Sequence, residues 1–243
     1  MLRLAEGLMV MMSSQTLGIT VDHRGFYCCS SATESEVWYA LPRNWSAQNF
    51  GEQLKGFARQ QNARVIAITT TVLQSHTFPD ANGNRITPST IDDVVGNRIK
   101  VIGAPQPLAL ARWHARTVDT ALTELRLGVM IFADQPLSQS QIGYFVVING
   151  ELKVFEGNIL ATSAQGLQPD SVTNLALEFW RKVGRGSVNS LVIWSATDRR
   201  IETTHKDAIV SNIQMNGGCS TTILPKGALN RGAQLLAADY ANN

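Results

Sequence analysis

The order of predicted elements is nearly the same in the two halves of this chain, and this repetition limits the possible folds more than any other feature. Apolar patterning and turn residues predict three antiparallel strands, a helix and a buried strand in each half. The first half has strands at 17–21, 26–30 and 36–41, a helix at 46–61, and strands at 64–71 and 99–103. The second half has strands at 127–134, 143–148 and 151–155, a helix at 171–183, a strand at 190–194, a helix at 198–215 and a strand at 220–224.

Two more helices complete the pattern. A helix predicted at 107–125 carries the chain from one half to the other, and a helix at 227–242 follows the second half. Strands that alternate with helices predict an α/β chain. We therefore expect two related lobes, an N-terminal lobe at 1–103 and a C-terminal lobe at 104–243.

The charge content excludes several classes of protein. Charged residues make up 16% of the 243 residues, against about 25% in an average globular domain. Disordered chains, coiled coils and charged tails need more charge than this. The chain carries 21 basic and 19 acidic residues and has a net charge of +2. No basic run exceeds two residues, so we predict no nucleic-acid partner.

The sequence also predicts a cytoplasmic protein without a membrane partner. No window approaches the roughly 20 apolar residues that cross a bilayer. The apolar stretch at 1–12 is short and contains Glu6, which argues against a signal peptide. The three cysteines, Cys28, Cys29 and Cys219, form neither a disulfide framework nor a zinc spacing. The oligomeric state is left open.

Three segments carry a resemblance to a known family. Residues 191–201 (LVIWSATDRRI) are similar to a segment that contacts adenosine, 127–155 to a phosphate-binding hairpin, and 229–237 (LNRGAQLLA) to a C-terminal helix. With the element order, they resemble the actin-like ATPase superfamily, which includes actin, sugar kinases and the seventy-kilodalton heat-shock chaperones, and most closely its chaperone branch. The resemblance implies two lobes of RNase H-like topology, reduced in size, with a ligand cleft between them.

The first phosphate-binding signature of that family is replaced. The family has an acidic residue on the first strand, which organises magnesium, and a glycine-rich turn that approaches the phosphates. Here Thr20 stands on the strand, and the turn reads Asp22-His23-Arg24-Gly25. Asp22 is interpreted as a turn-forming residue, with a displaced metal ligand as the alternative.

The other two signatures are also changed. Asp134 stands at the expected place in the second hairpin, but Gln135-Pro136-Leu137 replaces a Gly-Gly-Thr turn, and proline offers no amide to a phosphate. Trp194 and Ser195 stand where the adenosine segment has glycines, so the indole would fill the space of an adenine ring. The sequence therefore predicts a protein that does not hydrolyse ATP and needs no cofactor.

The candidate site residues lie at or just beyond the ends of predicted strands, where open sheets bind ligands. The candidate catalytic residues are His23, His76 and Asp134. The candidate ligand-binding residues are Thr20, Thr70, Ser138 and Trp194. The four histidines lie in separate segments without metal-ligand spacing, so no metal site is predicted.

The function predicted from these features is a repurposed scaffold whose interlobe cleft binds an apolar small molecule. Such a cleft could act as a cofactor-independent cyclase or isomerase by holding one conformer and donating one or two hydrogen bonds. Two alternatives stay open. One is a divergent ATP-binding module in which Asp22 and Asp134 hold magnesium, and the other is a non-catalytic assembly scaffold.

Overall fold

The computed structural model describes residues 15–22, 24–31, 36–71, 78–133, 140–160, 169–183, 187–196 and 205–243. The first large sheet contains β1 (Gln15–Val21), β2 (Gly25–Ser30), β3 (Glu36–Ala40), β4 (Ala63–Thr70) and β7 (Lys100–Gly103). The second contains β8 (Arg126–Ala133), β9 (Ser140–Ile148), β10 (Glu151–Leu160), β11 (Ser190–Ser195) and β12 (Ser220–Ile223). A small hairpin pairs β5 (Phe78–Pro79) with β6 (Arg85–Ile86).

Both large sheets have the same topology. Their strand orders are β3-β2-β1-β4-β7 and β10-β9-β8-β11-β12. In each sheet the first three strands form an antiparallel meander, and the last two strands are parallel to the first. This repetition confirms the predicted α/β fold of two related lobes.

Six helices lie within the described ranges: α1 (Ala47–Gln60), α2 (Pro88–Val95), α3 (Gln106–Thr117), α4 (Pro169–Val183), α5 (Lys206–Met215) and α6 (Ala228–Asn242). Helix α1 begins after Ser46, whose side chain accepts from the Asn49 N–H while the Asn49 side chain accepts from the Ser46 N–H. This reciprocal cap satisfies two amides at the helix start. None of the described helices is long and apolar enough to cross a membrane.

The molecule has five layers, in which three pairs of helices alternate with the two large sheets. Helices α1 and α2 cover the outer face of the first sheet, and α4 and α5 cover the outer face of the second. Helices α3 and α6 fill the space between the sheets. Helix α6 packs on β1, β2 and β4 of the first sheet, whereas α3 packs on β8, β9 and β11 of the second. The predicted division at residues 103 and 104 falls between β7 and α3 and stays a prediction.

The two central helices approach each other and the first sheet very closely. A Cβ added at Gly232 of α6 would lie 1.8 Å from the Ala109 carbonyl oxygen of α3, so only glycine fits this crossing. The Arg112 guanidinium binds Asp239 through two contacts, 2.6 and 2.9 Å long. On β1, Thr16 Oγ1 accepts from Gln234 Nε2 of α6 at 2.8 Å. The lobes therefore share one packed centre.

Two predicted elements end at other residues in the structure, one helix was not predicted, and one predicted helix is described only in part. Helix α3 ends at Thr117 rather than 125, because Asp119 adopts a positive φ of 52°, and a 3-10 turn follows at Leu122–Glu124. Helix α2 was not predicted, although Thr87 caps it and Pro88 opens it. Strand β10 continues past 155 to Leu160. The helix predicted at 198–215 is seen as α5, and 197–204 lie outside the described residues.

Candidate functional site

A narrow cleft lies between the two lobes, with a cavity volume of about 30 Å³, or about 440 Å³ when space open to solvent is included. It is formed where β1, β4 and β11 end and α6 begins, because the carboxyl ends of parallel strands share one edge of each sheet. The first lobe lines it with Thr20, Asp22, Arg24, Tyr27, Glu36 and Thr71. The second lobe lines it with Trp194, Ala196, Lys226, Leu229 and Asn230.

Thr20 and Asn230 join the two lobes at the buried end of the cleft. The exposed fractions are 4% for Thr20 and 1% for Asn230. Thr20 Oγ1 donates to Asn230 Oδ1 at 3.4 Å. Asn230 Nδ2 has no hydrogen-bond partner among the described residues. A buried donor left unpaired costs about 1–3 kcal/mol, so the amide of this cleft-lining residue would gain from an acceptor.

The first turn of α6 forms another part of the wall. Gly227 precedes the helix, and no side chain caps it. A Cβ added at Gly227 would lie 3.2 Å from Glu36 Oε2, so the Glu36 carboxylate sits beside the positive end of the helix. The Lys226 ammonium lies 5.2 Å from the centre of the Tyr27 ring, a cation–π contact that links the lobes across the cleft.

Asp22 stabilises the turn between β1 and β2. Its Oδ1 accepts from the N–H groups of Arg24 and Gly25, both at 2.7 Å. This is the hydrogen-bond pattern of a turn-forming aspartate, in which the side chain replaces a backbone acceptor. The interpretation of Asp22 as a turn residue agrees with these contacts.

Trp194 belongs both to the core and to the cleft wall. Its side chain is 1% exposed and packs in the central core with residues of α3 and α6. Trp194 Nε1 donates to the Lys226 carbonyl oxygen at 3.2 Å, which anchors the turn before α6. The ring therefore occupies the end of β11 as a packed structural element and offers the cleft only a small part of its surface.

The remaining predicted site residues are placed as follows. Thr70 is 1% exposed and lies next to the cleft rather than on its wall, and its carbonyl accepts from Gln106 Nε2. Thr71, the next residue, does line the cleft. His23, His76, Asp134 and Ser138 lie outside the described residues. Of the seven candidates, the structure brings Thr20 and Trp194 together at this cleft.

Asn230 is the residue of this site that the sequence reasoning missed. It stands in a segment that reads as an ordinary small-residue helix, and its partner Thr20 is 210 residues away. One signal was available. Asparagine is a poor helix former, and Asn230 stands three residues into a predicted helix. A polar side chain at such a position indicates a specific hydrogen bond or a ligand contact.

Comparison with known proteins identifies the fold. No protein-family model and no curated protein sequence matches the chain. ROK hexokinase from Thermus thermophilus matches over 93% of this chain and 99% of its own, with a TM-score of 0.57 and 11% identity. An archaeal actin homologue matches over 94% and 99%, with a TM-score of 0.51 and 9% identity. The chain has the actin-like ATPase fold. A proposed sugar kinase from Cytophaga hutchinsonii, at 14% identity and a TM-score of 0.52, covers 92% and 99%.

The structural similarity shows the actin-like fold. The sequence identities are too low to transfer an activity to this chain. Within the described part of the cleft, two positions depart from the pattern expected of actin-like ATPases. Thr20 stands on β1 in place of an acidic residue, and its hydroxyl bonds to Asn230. Trp194 fills the end of β11. Among the described residues, no group of three or more histidine, cysteine or acidic side chains is arranged to hold a metal ion.

Proposed function

We propose that this protein binds an uncharged, largely apolar small molecule in the interlobe cleft and does not hydrolyse ATP. The observation that carries the proposal is the unpaired Nδ2 of Asn230, buried at the cleft wall. A ligand with a carbonyl, ether or hydroxyl oxygen would supply the missing acceptor. The Thr20 hydroxyl holds Asn230 Oδ1, so the amide is already oriented to donate.

The charge balance of the cleft supports an uncharged ligand over a nucleotide. Arg24 and Lys226 contribute positive charge, while Asp22 and Glu36 contribute negative charge. A triphosphate would need a clear positive excess, and the Glu36 carboxylate already stands beside the first turn of α6. Tyr27 adds apolar surface, and the buried side chains of Trp194 and Leu229 border the cleft.

The reaction class that fits such a cleft is a cyclisation or an isomerisation. These reactions need one conformer of the substrate held in place and one or two hydrogen bonds to developing charge. Asn230 is the donor available for that role. The catalytic assignments of His23, His76 and Asp134 remain part of this proposal.

We also propose that the protein acts in the cytoplasm. Cys28, Cys29 and Cys219 are all buried, and none of them forms a disulfide within the described residues. Burial raises the pKa of Cys28 to about 12, so its thiol stays protonated and unreactive. Cysteines that form no disulfide are typical of proteins in reducing compartments.

Two variants that replace buried amides test whether Asn230 is a ligand donor. The double variant Thr20→Val/Asn230→Leu removes the unpaired Nδ2 donor together with both partners of the Thr20–Asn230 hydrogen bond, so the unliganded variant should be as stable as the wild type or more stable. Gln106→Leu is the matched control, since Gln106 already donates to the Thr70 carbonyl and its loss should lower stability by about 1–3 kcal/mol. A structural role for Asn230 would instead make both variants unstable.

Ligand binding is measured on the same variants. Crystals of the wild type are soaked with cyclohexanone, δ-valerolactam and related uncharged fragments, and we expect density beside Asn230 that Asn230→Leu loses. Thermal unfolding with Mg-ATP is the parallel measurement, since a ligand at 100 times its Kd adds about 2.7 kcal/mol. Stabilisation by Mg-ATP with phosphate release that Asp134→Ala abolishes would overturn the proposal in favour of a divergent ATPase.

A further inference from the structure

A second concave site lies at the opposite end of the first sheet. The interlobe cleft is formed where β4 ends, and this groove is formed where β4 begins, between the last turn of α1 and the turn that follows α2. Eight residues of strand separate the two sites by roughly 25 Å. The groove encloses about 1140 Å³, including space open to solvent.

Positive charge is concentrated in this groove. Lys55, Arg59, Arg64 and Arg98 line it, together with the amides of Asn62 and Asn97, and no acidic side chain does so within the described residues. The whole chain carries a net charge of only +2. The four basic residues of the groove exceed this net charge, so the rest of the molecule is net negative and the groove holds the excess positive charge.

The three arginines are available to a ligand. Lys55 is partly engaged, because its ammonium lies 3.8 Å from Glu52 and 3.5 Å from the Val94 carbonyl oxygen. In the part of the chain that the structure describes, Arg59, Arg64 and Arg98 form no side-chain hydrogen bond or ion pair. The ends of α1 and α2 face the groove and supply about one negative charge between them, which leaves a clear positive excess.

We propose that this groove binds a small molecule that carries several phosphate groups. Guanidinium groups bind phosphate oxygens through paired, charge-assisted hydrogen bonds, and three arginines, from α1, β4 and a turn, line this groove. A single concave site lined by these residues differs from the extended basic track that a nucleic acid requires. The apolar side chains in the lining are all buried, so the groove offers a lipid bilayer no apolar contact; they are Ala58, Ala63, Val95 and Ile99.

Isothermal titration of the full chain with inorganic triphosphate and with inositol hexakisphosphate tests this proposal. We expect saturable binding that weakens between 50 and 200 mM KCl. The combined variant Arg59→Gln/Arg64→Gln/Arg98→Gln should lose about 30-fold or more in affinity. The matched control, Arg43→Gln/Arg116→Gln/Arg181→Gln, changes three exposed arginines elsewhere and removes the same net charge. It should retain affinity within about threefold.

Three outcomes would overturn the proposal: no binding of either anion at millimolar concentration, equal loss in the groove and control variants, or tighter binding of a single-stranded RNA or of anionic vesicles. If the triple groove variant fails to fold by circular dichroism, the single variant Arg64→Gln replaces it, with an expected loss of about fivefold. Asn230→Leu should leave triphosphate binding unchanged, so this proposal and that for the interlobe cleft fail separately.

Discussion

At the scale of single residues, His114 shows how burial sets the response of the protein to acid. It lies in α3, is 6% exposed, and its Nδ1 has no hydrogen-bond partner among the described residues. Burial lowers the pKa of His114 because the charged imidazolium would lose its hydration. Below the ordinary pKa of about 6.5 the unfolded chain therefore binds a proton that the folded chain does not.

The free energy of unfolding should consequently fall as the pH drops from about 7 to 5, by at most about 1.4 kcal/mol per pH unit from this group. Urea unfolding at pH 7.5 and 5.5 measures the effect in the wild type and in His114→Gln, which cannot titrate. We expect a smaller pH dependence in the variant. Equal pH dependence in the two proteins would show that other groups cause it.

Residue patterns along the chain locate part of the cleft. Thr20 and Trp194 were singled out because they stand near strand ends, a property that local patterns reveal, and both line the cleft. Asn230 was missed, because its role in the cleft depends on a hydrogen bond with Thr20, which lies on the other lobe. The basic groove was missed for a similar reason. Lys55, Arg59, Arg64 and Arg98 are dispersed in sequence, so a search for basic runs does not find them.

At the scale of elements, the crossing of α3 and α6 depends on the absence of a side chain. In Gly232→Ala, the new methyl group would overlap the Ala109 carbonyl, and we expect the free energy of unfolding to fall by at least about 2 kcal/mol. Gly56→Ala is the matched control, since Gly56 lies inside α1 with nothing within 4 Å of an added Cβ. That variant should gain about 0.8–1 kcal/mol from helix propensity.

Chemical unfolding of both glycine variants by urea checks this pair of expectations. Stability of Gly232→Ala equal to or above that of the wild type would mean that the helices can move apart freely. A crystal structure of the variant would then show a wider spacing between α3 and α6.

The strands were easier to predict from sequence than the helices. The strands of the two large sheets were located within a few residues, except at the end of β10, because alternation and turn residues such as Asn149-Gly150 are local signals. The end of α3 was misplaced, since apolar spacing continues past Thr117 while Asp119 turns the backbone. Helix α2 was missed because its eight residues are short for a periodic pattern.

At the scale of the whole molecule, the exchange of α3 and α6 makes the two lobes depend on each other. The inner face of each sheet is covered by the helix that follows the last strand of the other sheet: α6 follows β12 and packs on the first sheet, whereas α3 follows β7 and packs on the second. No local pattern predicts such an exchange, because the apolar face of a helix does not specify which of two sheets the helix will pack on. The predicted lobes at 1–103 and 104–243 therefore correspond to two repeats of one topology. We do not expect either lobe to be stable by itself.

We expect the full chain to unfold in a single cooperative transition. Calorimetric and van't Hoff enthalpies should agree. A fragment of residues 1–103 should not fold by itself, and mixing it with residues 104–243 should restore the near-ultraviolet dichroism of the intact protein. Two separate transitions, or a folded 1–103 fragment, would show that the lobes are independent.

The position of α6 also has a consequence for the making of the protein. About 200 residues separate β1 from α6, so at 5–20 residues per second a ribosome needs roughly 10–40 s to supply the helix that covers β1. The face of β1 that waits for α6 presents Thr16, Gly18 and Thr20, which contact Gln234 and Asn230 in the finished molecule. Hydroxyl groups and glycine tolerate water far better than leucine or isoleucine would. Before the last helix is made, β1 of the nascent chain therefore exposes a wettable surface, which reduces the tendency of this strand to aggregate during synthesis.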